Sequence, residues 1–161
     1  MPLIIHELIH FILSVLVGIV IFFLYKDINF TYVMTIALAG GFFIDVDHLI
    51  DYFIAYKWNF QTKKFFKGEQ FTKIQKIFVL FHGYEYVGVL LCIGYFLRNS
   101  NLQAYVFTLA FSSLFHLIVD AMVNNVYVKT YSILYRLYHN FNSHKITPWY
   151  PKKKYPKRYK I

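Results

Sequence analysis

Four runs of this chain, 4–25, 30–56, 77–97 and 103–128, are apolar and long enough to cross a lipid bilayer, which leaves few folds open. A helix rising 1.5 Å per residue covers the ~30 Å hydrocarbon layer in about 20 residues. A mean hydropathy of +0.43 and an apolar share of 58% lie far above those of an ordinary soluble domain. A soluble bundle of very apolar helices is the alternative. The first run lacks both a basic flank and a small-residue cleavage site, so it reads as a retained span and not as a signal peptide. The expected fold is all-α: a polytopic membrane protein, a four-transmembrane-helix bundle with an interfacial basic loop and a C-terminal tail.

Charge orients the spans. Of the 17 Lys and Arg, six lie in 57–76 (Lys57, Lys63, Lys64, Lys67, Lys73, Lys76) and nine in 129–161 (Lys129, Arg136, Lys145, Lys152, Lys153, Lys154, Lys157, Arg158, Lys160). The short connections hold only Lys26 and Arg98. By the positive-inside rule the long loop, the tail and both termini face the cytoplasm of a plasma (inner) membrane. Trp58, Phe60, Phe65, Phe66 and Phe71 among the lysines suit an interfacial helix. Both basic segments are expected to meet anionic headgroups, and no nucleic-acid partner is expected. A single cysteine, Cys92, allows no disulfide framework and no thiolate zinc site within the chain.

The polar residues inside the apolar runs are of one kind. Six of the eight acidic residues (Glu7, Asp45, Asp47, Asp51, Glu85, Asp120) and five of the seven histidines (His6, His10, His48, His82, His116) fall there, without Lys or Arg. An ionised carboxylate at the bilayer centre costs ~2.5–3.5 kcal/mol even on insertion scales. Such acids must be protonated, pair with charged histidine or bind cations. Counted from the cytoplasmic ends of the spans, His10, Asp51 and His82 lie ~8–9 Å deep, Glu85 and Asp120 ~12 Å, and Asp45 and His116 ~17–18 Å. That is one band of the inner leaflet. His6/His10, Asp47/Asp51 and His116/Asp120 are i,i+4 pairs; Asp45/His48, His48/Asp51 and His82/Glu85 are i,i+3 pairs, each on one helix face. Nitrogen and carboxylate donors together suit zinc, manganese or iron(II). The number of acids would support two ions, an arrangement that clamps both oxygens in phosphoester cleavage.

Ile44-Asp45-Val46-Asp47-His48 resembles the Pro-Asp-x-Asp-His motif of the membrane-bound metal-dependent hydrolase family, the LexA-regulated inner-membrane hydrolases. His10, eight residues before Gly18, resembles that family's first-span histidine, and His116-x-x-x-Asp120 is similar to its last-span motif. His82 stands where the family has the second histidine of His-Arg-Gly-x-Thr-His-Ser. The resemblance covers 6–125 and implies a helical membrane protein with a divalent-metal site and hydrolase activity. The family is similar in outline to the all-helical zinc phospholipase C and single-strand nuclease group, which points to phosphoesters. Two departures stand out: Ile44 replaces the proline, and no His-Arg-Gly precedes His82, so the arginine of a phosphate clamp is missing. Glu85 is then the ligand or base, as in a variant branch with His-x-x-Glu.

The expected centre draws its metal ligands from His10, Asp45, Asp47, His48, His82, His116 and Asp120, for one or two divalent ions, zinc first and manganese or iron as alternatives. Glu85 is the candidate catalytic base. The segment 1–128 forms the transmembrane metal-binding domain, and 129–161 a basic cytoplasmic tail acting as a lid or surface helix. The expected activity is a membrane-embedded metal-dependent hydrolase acting on a phosphoester or lipid-like substrate. Three alternatives stay open. His6-Glu7-x-x-His10 matches the zinc metallopeptidase motif, in which two histidines bind the metal and the glutamate activates water. In the main reading, by contrast, His6 and Glu7 are supporting or surface groups. The same acids could serve a metal or proton carrier, or a metal-stabilised scaffold without turnover.

Overall fold

The first apolar run forms one uninterrupted helix, α1 (Leu3–Leu24). Asn29 then caps α2 (Phe30–Gly41), its side-chain oxygen accepting a 3.1 Å bond from the Tyr32 N–H and satisfying a donor that the first helical turn leaves free. After Gly41 a 3-10 turn (Phe43–Asp47) and α3 (His48–Tyr56) carry the chain on at 53° to α2. The basic loop contains α4 (Thr62–Phe66) and α5 (Glu69–Ile74). Non-helical residues 75–83 lead into α6 (Tyr84–Phe96), followed by α7 (Asn101–Val123). A second 3-10 turn (Val128–Tyr131), α8 (Ile133–Tyr138) and α9 (Ser143–Ile146) follow. This computed structural model describes residues 3–98, 100–124 and 126–148.

The all-helical expectation agrees with this architecture. Two helices, α1 and α7, are long and apolar enough to cross a membrane, and α2 with α3 make a third candidate if the bent pair is one span. The third apolar run behaves differently. Its helix, α6, has 13 residues, about 20 Å of rise against a ~30 Å hydrocarbon layer. Residues 76–82 leave the helix because other segments take up their backbone groups. Ile77 N–H donates to Phe141 O at 3.0 Å, and Lys76 forms an isolated antiparallel bridge with Asn142.

The segment after α7 is therefore part of the fold as far as residue 147. Ser143 N–H donates to Gln75 O, and Ile146 joins Phe71, Ile77 and Val79 in an apolar cluster against Tyr135. The expected division at 128 does not coincide with a break in packing: 128–147 lie against the 75–82 segment. Residues 149–161, most of the polybasic tail, and Asn125 lie outside the described residues.

Helices α1, α2 and α7 pack mutually, and α6 lies along α7. Helices α1, α2 and α7 come together at the end of α2. A Cβ on Gly41 would stand 2.2 Å from Ser14 Oγ and 3.3 Å from the Ser112 Cβ, so a side chain there would collide with α1 and crowd α7. The approach brings the Gly41 carbonyl to His116 on α7. Gly41→Val is expected to destabilise the bundle by ~1–3 kcal/mol through overpacking, read as a lower midpoint of thermal unfolding in detergent. It should also loosen His116.

Candidate metal centre

The bend after α2 turns Asp45, Asp47 and His48 toward the histidines of the other helices, and three groups result, the last two sharing His82. They are His6, His10 and Asp120; Asp45, His82 and His116; and Asp47, His48 and His82. Within each group one donor atom per residue lies within 4.8 Å of the others. In the first, His6 Nε2 and His10 Nε2 are 2.9 Å apart, and Asp120 Oδ1 is 3.0 and 3.4 Å from them. In the second, His82 Nε2 is 3.1 Å from Asp45 Oδ1 and 3.2 Å from His116 Nε2, which is 3.8 Å from Asp45 Oδ1. His48 Nε2 also lies 3.1 Å from Asp45 Oδ1. Four donors placed tetrahedrally ~2.0–2.1 Å from zinc stand ~3.3 Å apart, so both triangles have the edge lengths of a coordination shell.

Proton positions sharpen the fit. His116 Nδ1 contacts the Gly41 carbonyl at 2.9 Å, which only accepts, so Nδ1 carries the hydrogen. His82 Nδ1 likewise donates to Asp47 Oδ2 at 3.1 Å, an oxygen that also accepts the Phe81 N–H at 2.8 Å. In the neutral rings both Nε2 atoms then present lone pairs, and these face each other across 3.2 Å. This is the carboxylate–histidine or carbonyl–histidine arrangement that orients metal-ligating imidazoles. Asp120 Oδ1 and His48 Nε2 are buried and close to their neighbours, yet meet no partner in hydrogen-bond geometry. The ion pairs of Asp45, Asp47 and Asp120 among the described residues are all with histidine. A divalent ion fits this donor set.

All seven ligand candidates (His10, Asp45, Asp47, His48, His82, His116 and Asp120) fall into these groups. So does His6, which is 2% exposed, whereas its place at the membrane-surface end of the run suggested a supporting or surface role. The signal was present: His6 and His10 share one helix face. Asp51 stands apart, its carboxylate accepting the backbone N–H groups of Phe78 and Val79. Glu85, the expected base, is committed elsewhere: its oxygens accept from Ser132 Oγ and from the Ile133 and Leu134 N–H groups, holding the start of α8. Glu7 is half-buried and lines a ≈ 60 Å³ cavity with His6, Asp45, His48 and Asp120. Leu3, Phe65, Phe66 and Gln70 complete its lining.

Two residues of the supposed tail serve this centre, and sequence reasoning missed both. Tyr131 OH donates to Asp120 Oδ2 at 3.4 Å. Arg136 is fully buried, and its guanidinium donates to the carbonyls of Phe78, Val79 and His82. The segment that delivers His82 is thus held from both sides: Asp51 and Asp47 take its N–H groups, and Arg136 takes its carbonyls. That grip holds Val79 at φ 30°, a conformation costly for a β-branched residue. Burial pulls the Arg136 pKa below its ordinary value, with Asp47, Glu85 and Asp51 acting the other way. The one available sequence signal was a lone arginine inside the apolar-aromatic stretch 133–138.

Comparison of the chain with family models, curated proteins and solved structures finds no match. The site therefore rests on its own geometry. Arg136→Met should strand three buried carbonyls, lowering stability by roughly 3 kcal/mol or more. It should also weaken metal binding about tenfold or more by releasing His82. Arg136→Lys should fall between, because an ammonium lacks the planar fork. Chemical denaturation and metal titration of the purified protein read the two effects separately.

Proposed function

We propose that the chain is a membrane-embedded, metal-dependent hydrolase acting on a phosphoester of a lipid-like substrate at the cytoplasmic leaflet. The observation that carries the reading is the meeting of His82 Nε2 and His116 Nε2 at 3.2 Å, with Asp45 Oδ1 3.1 and 3.8 Å from them. A single proton would serve one of these contacts. A divalent cation serves all of them and offsets the buried carboxylates. In this reading the four apolar runs, with α6 as a short member, form the bundle expected from sequence. Both termini lie on the cytoplasmic side.

Access supports the leaflet. The cavity at the centre is lined by the start of α1 and by Phe65, Phe66 and Gln70 of the basic loop, the segment that carries the lysines. Lys63 and Lys64 on α4 precede Phe65 and suit an anionic headgroup. Asp45, His82 and His116 would hold a divalent ion at one position and His6, His10 and Asp120 at a second, and such an ion would supply an acidified water and a Lewis acid for a phosphoryl oxygen. Asp47 keeps His82 in the tautomer that leaves Nε2 as an acceptor. Glu7, in the lining of that cavity, takes the base role first assigned to Glu85, because the Glu85 carboxylate holds α8.

One observation favours a second reading. His6, His10 and Asp120 converge with Glu7 beside them, the layout in which a helix-borne glutamate activates water for peptide hydrolysis. The substrate separates the two. The full chain in nanodiscs, loaded with zinc or manganese, should release glycerol phosphate from phosphatidylglycerol, leaving diacylglycerol, and leave a transmembrane peptide intact. Asp47→Asn should cost ~10–100-fold in metal affinity by altering the support of His82. His116→Ala, which deletes a donor, should cost more. Unchanged metal content in both variants would end the hydrolase reading, and peptide cleavage without lipid turnover would select the second.

A further inference from the structure

The 53° bend between α2 and α3 opens a second cavity, of ≈ 300 Å³, on the flank of the bundle. Gly40, Leu109 and Ser113 form its inner wall, and Phe43, Val46, Ile50 and Phe81 its rim. The four rim side chains are 42–55% exposed and uncharged. In a bent span they face hydrocarbon, so whatever fills the cavity arrives sideways from the bilayer. The volume sits at the lower end of the ~300–1,000 Å³ typical of small-molecule sites.

The cavity is not uniformly apolar. Ser113 is 0% exposed and its Oγ has no hydrogen-bond partner among the described residues. Its neighbours behave differently: Ser112 Oγ and Thr108 Oγ1 each donate to the carbonyl four residues earlier in α7. Asp47, 3% exposed, reaches the same cavity, and its Oδ1 lies beside His82 Nδ1 without hydrogen-bond geometry. A buried hydroxyl left without a partner is costly unless a ligand supplies one. The lining is thus a hydrocarbon slot with a polar patch at Ser113 and Asp47.

We infer that this cavity binds one hydrocarbon chain of a membrane lipid, with the polar end of that chain at Ser113 and Asp47. The inference rests on the membrane placement; within the hydrolase reading the occupant is the substrate's own chain. An amphiphile matches both halves of the lining. A water-soluble ligand would have to cross the exposed aromatic and aliphatic rim.

The full chain in nanodiscs of phosphatidylethanolamine and phosphatidylglycerol, a fraction of the latter carrying a mid-chain diazirine, gives the test. Irradiation should label the inner wall at Leu109 and Ser113. Ser113→Leu removes the hydroxyl of the polar patch, and Val46→Trp plugs the rim without touching the buried wall; each should reduce inner-wall labelling about tenfold, the loss for ~1.4 kcal/mol of binding. Circular dichroism checks that both variants stay helical. Labelling confined to the outward faces of Phe43, Val46, Ile50 and Phe81, unchanged by either substitution, would overturn the inference. No turnover is read, so failure of the hydrolase reading leaves this result standing, and the converse holds.

Discussion

A cluster of carboxylates whose ion pairs among the described residues are all with imidazoles constrains the rest of this molecule. Asp47 and Asp120 are buried, Asp45 is partly so, and each meets histidine within hydrogen-bonding distance. In a low-dielectric interior such groups need compensating charge nearby. Much of the fold serves to bring them together. Gly41 lets α1, α2 and α7 touch, the bend after α2 turns Asp45 and Asp47 inward, and 76–82 leave the helix so that His82 reaches both.

The supporting groups are as specific as the ligand candidates. Asp47 and Gly41 O fix the tautomers of His82 and His116, and Asp51, Arg136 and Glu85 fix the backbone that carries His82. Glu85 shows how this works at a distance. Its carboxylate holds the first turn of α8, α8 places Arg136, and Arg136 holds the carbonyl of His82 itself. A residue that looks catalytic by spacing acts here as an anchor two steps removed.

The helical class and the convergence of seven named side chains were legible in the sequence, because both follow from helical periodicity and from the absence of Lys and Arg in the spans. The inclusion of His6 was legible too, through its i,i+4 relation to His10, but its place at the end of an apolar run suggested a surface position. What could not be read were the non-local contacts. The length of α6 depends on Phe141 and Asn142 capturing the backbone of 76–77, about 65 residues away in sequence. The burial of Arg136 depends on carbonyls freed by that same capture. Charge alone made 129–148 look like a surface tail; its aromatic and aliphatic residues, Tyr131, Tyr135 and Ile146, instead make it a wall of the site.

X-ray absorption at the metal edge of the purified, membrane-reconstituted protein tests the central claim most directly. The expected spectrum shows a bound divalent metal with nitrogen and oxygen neighbours at ~2.0–2.1 Å and outer-shell scattering from more than one imidazole. A protein that binds no metal when loaded, or holds it with an oxygen-only shell lacking imidazole scattering, would contradict that claim.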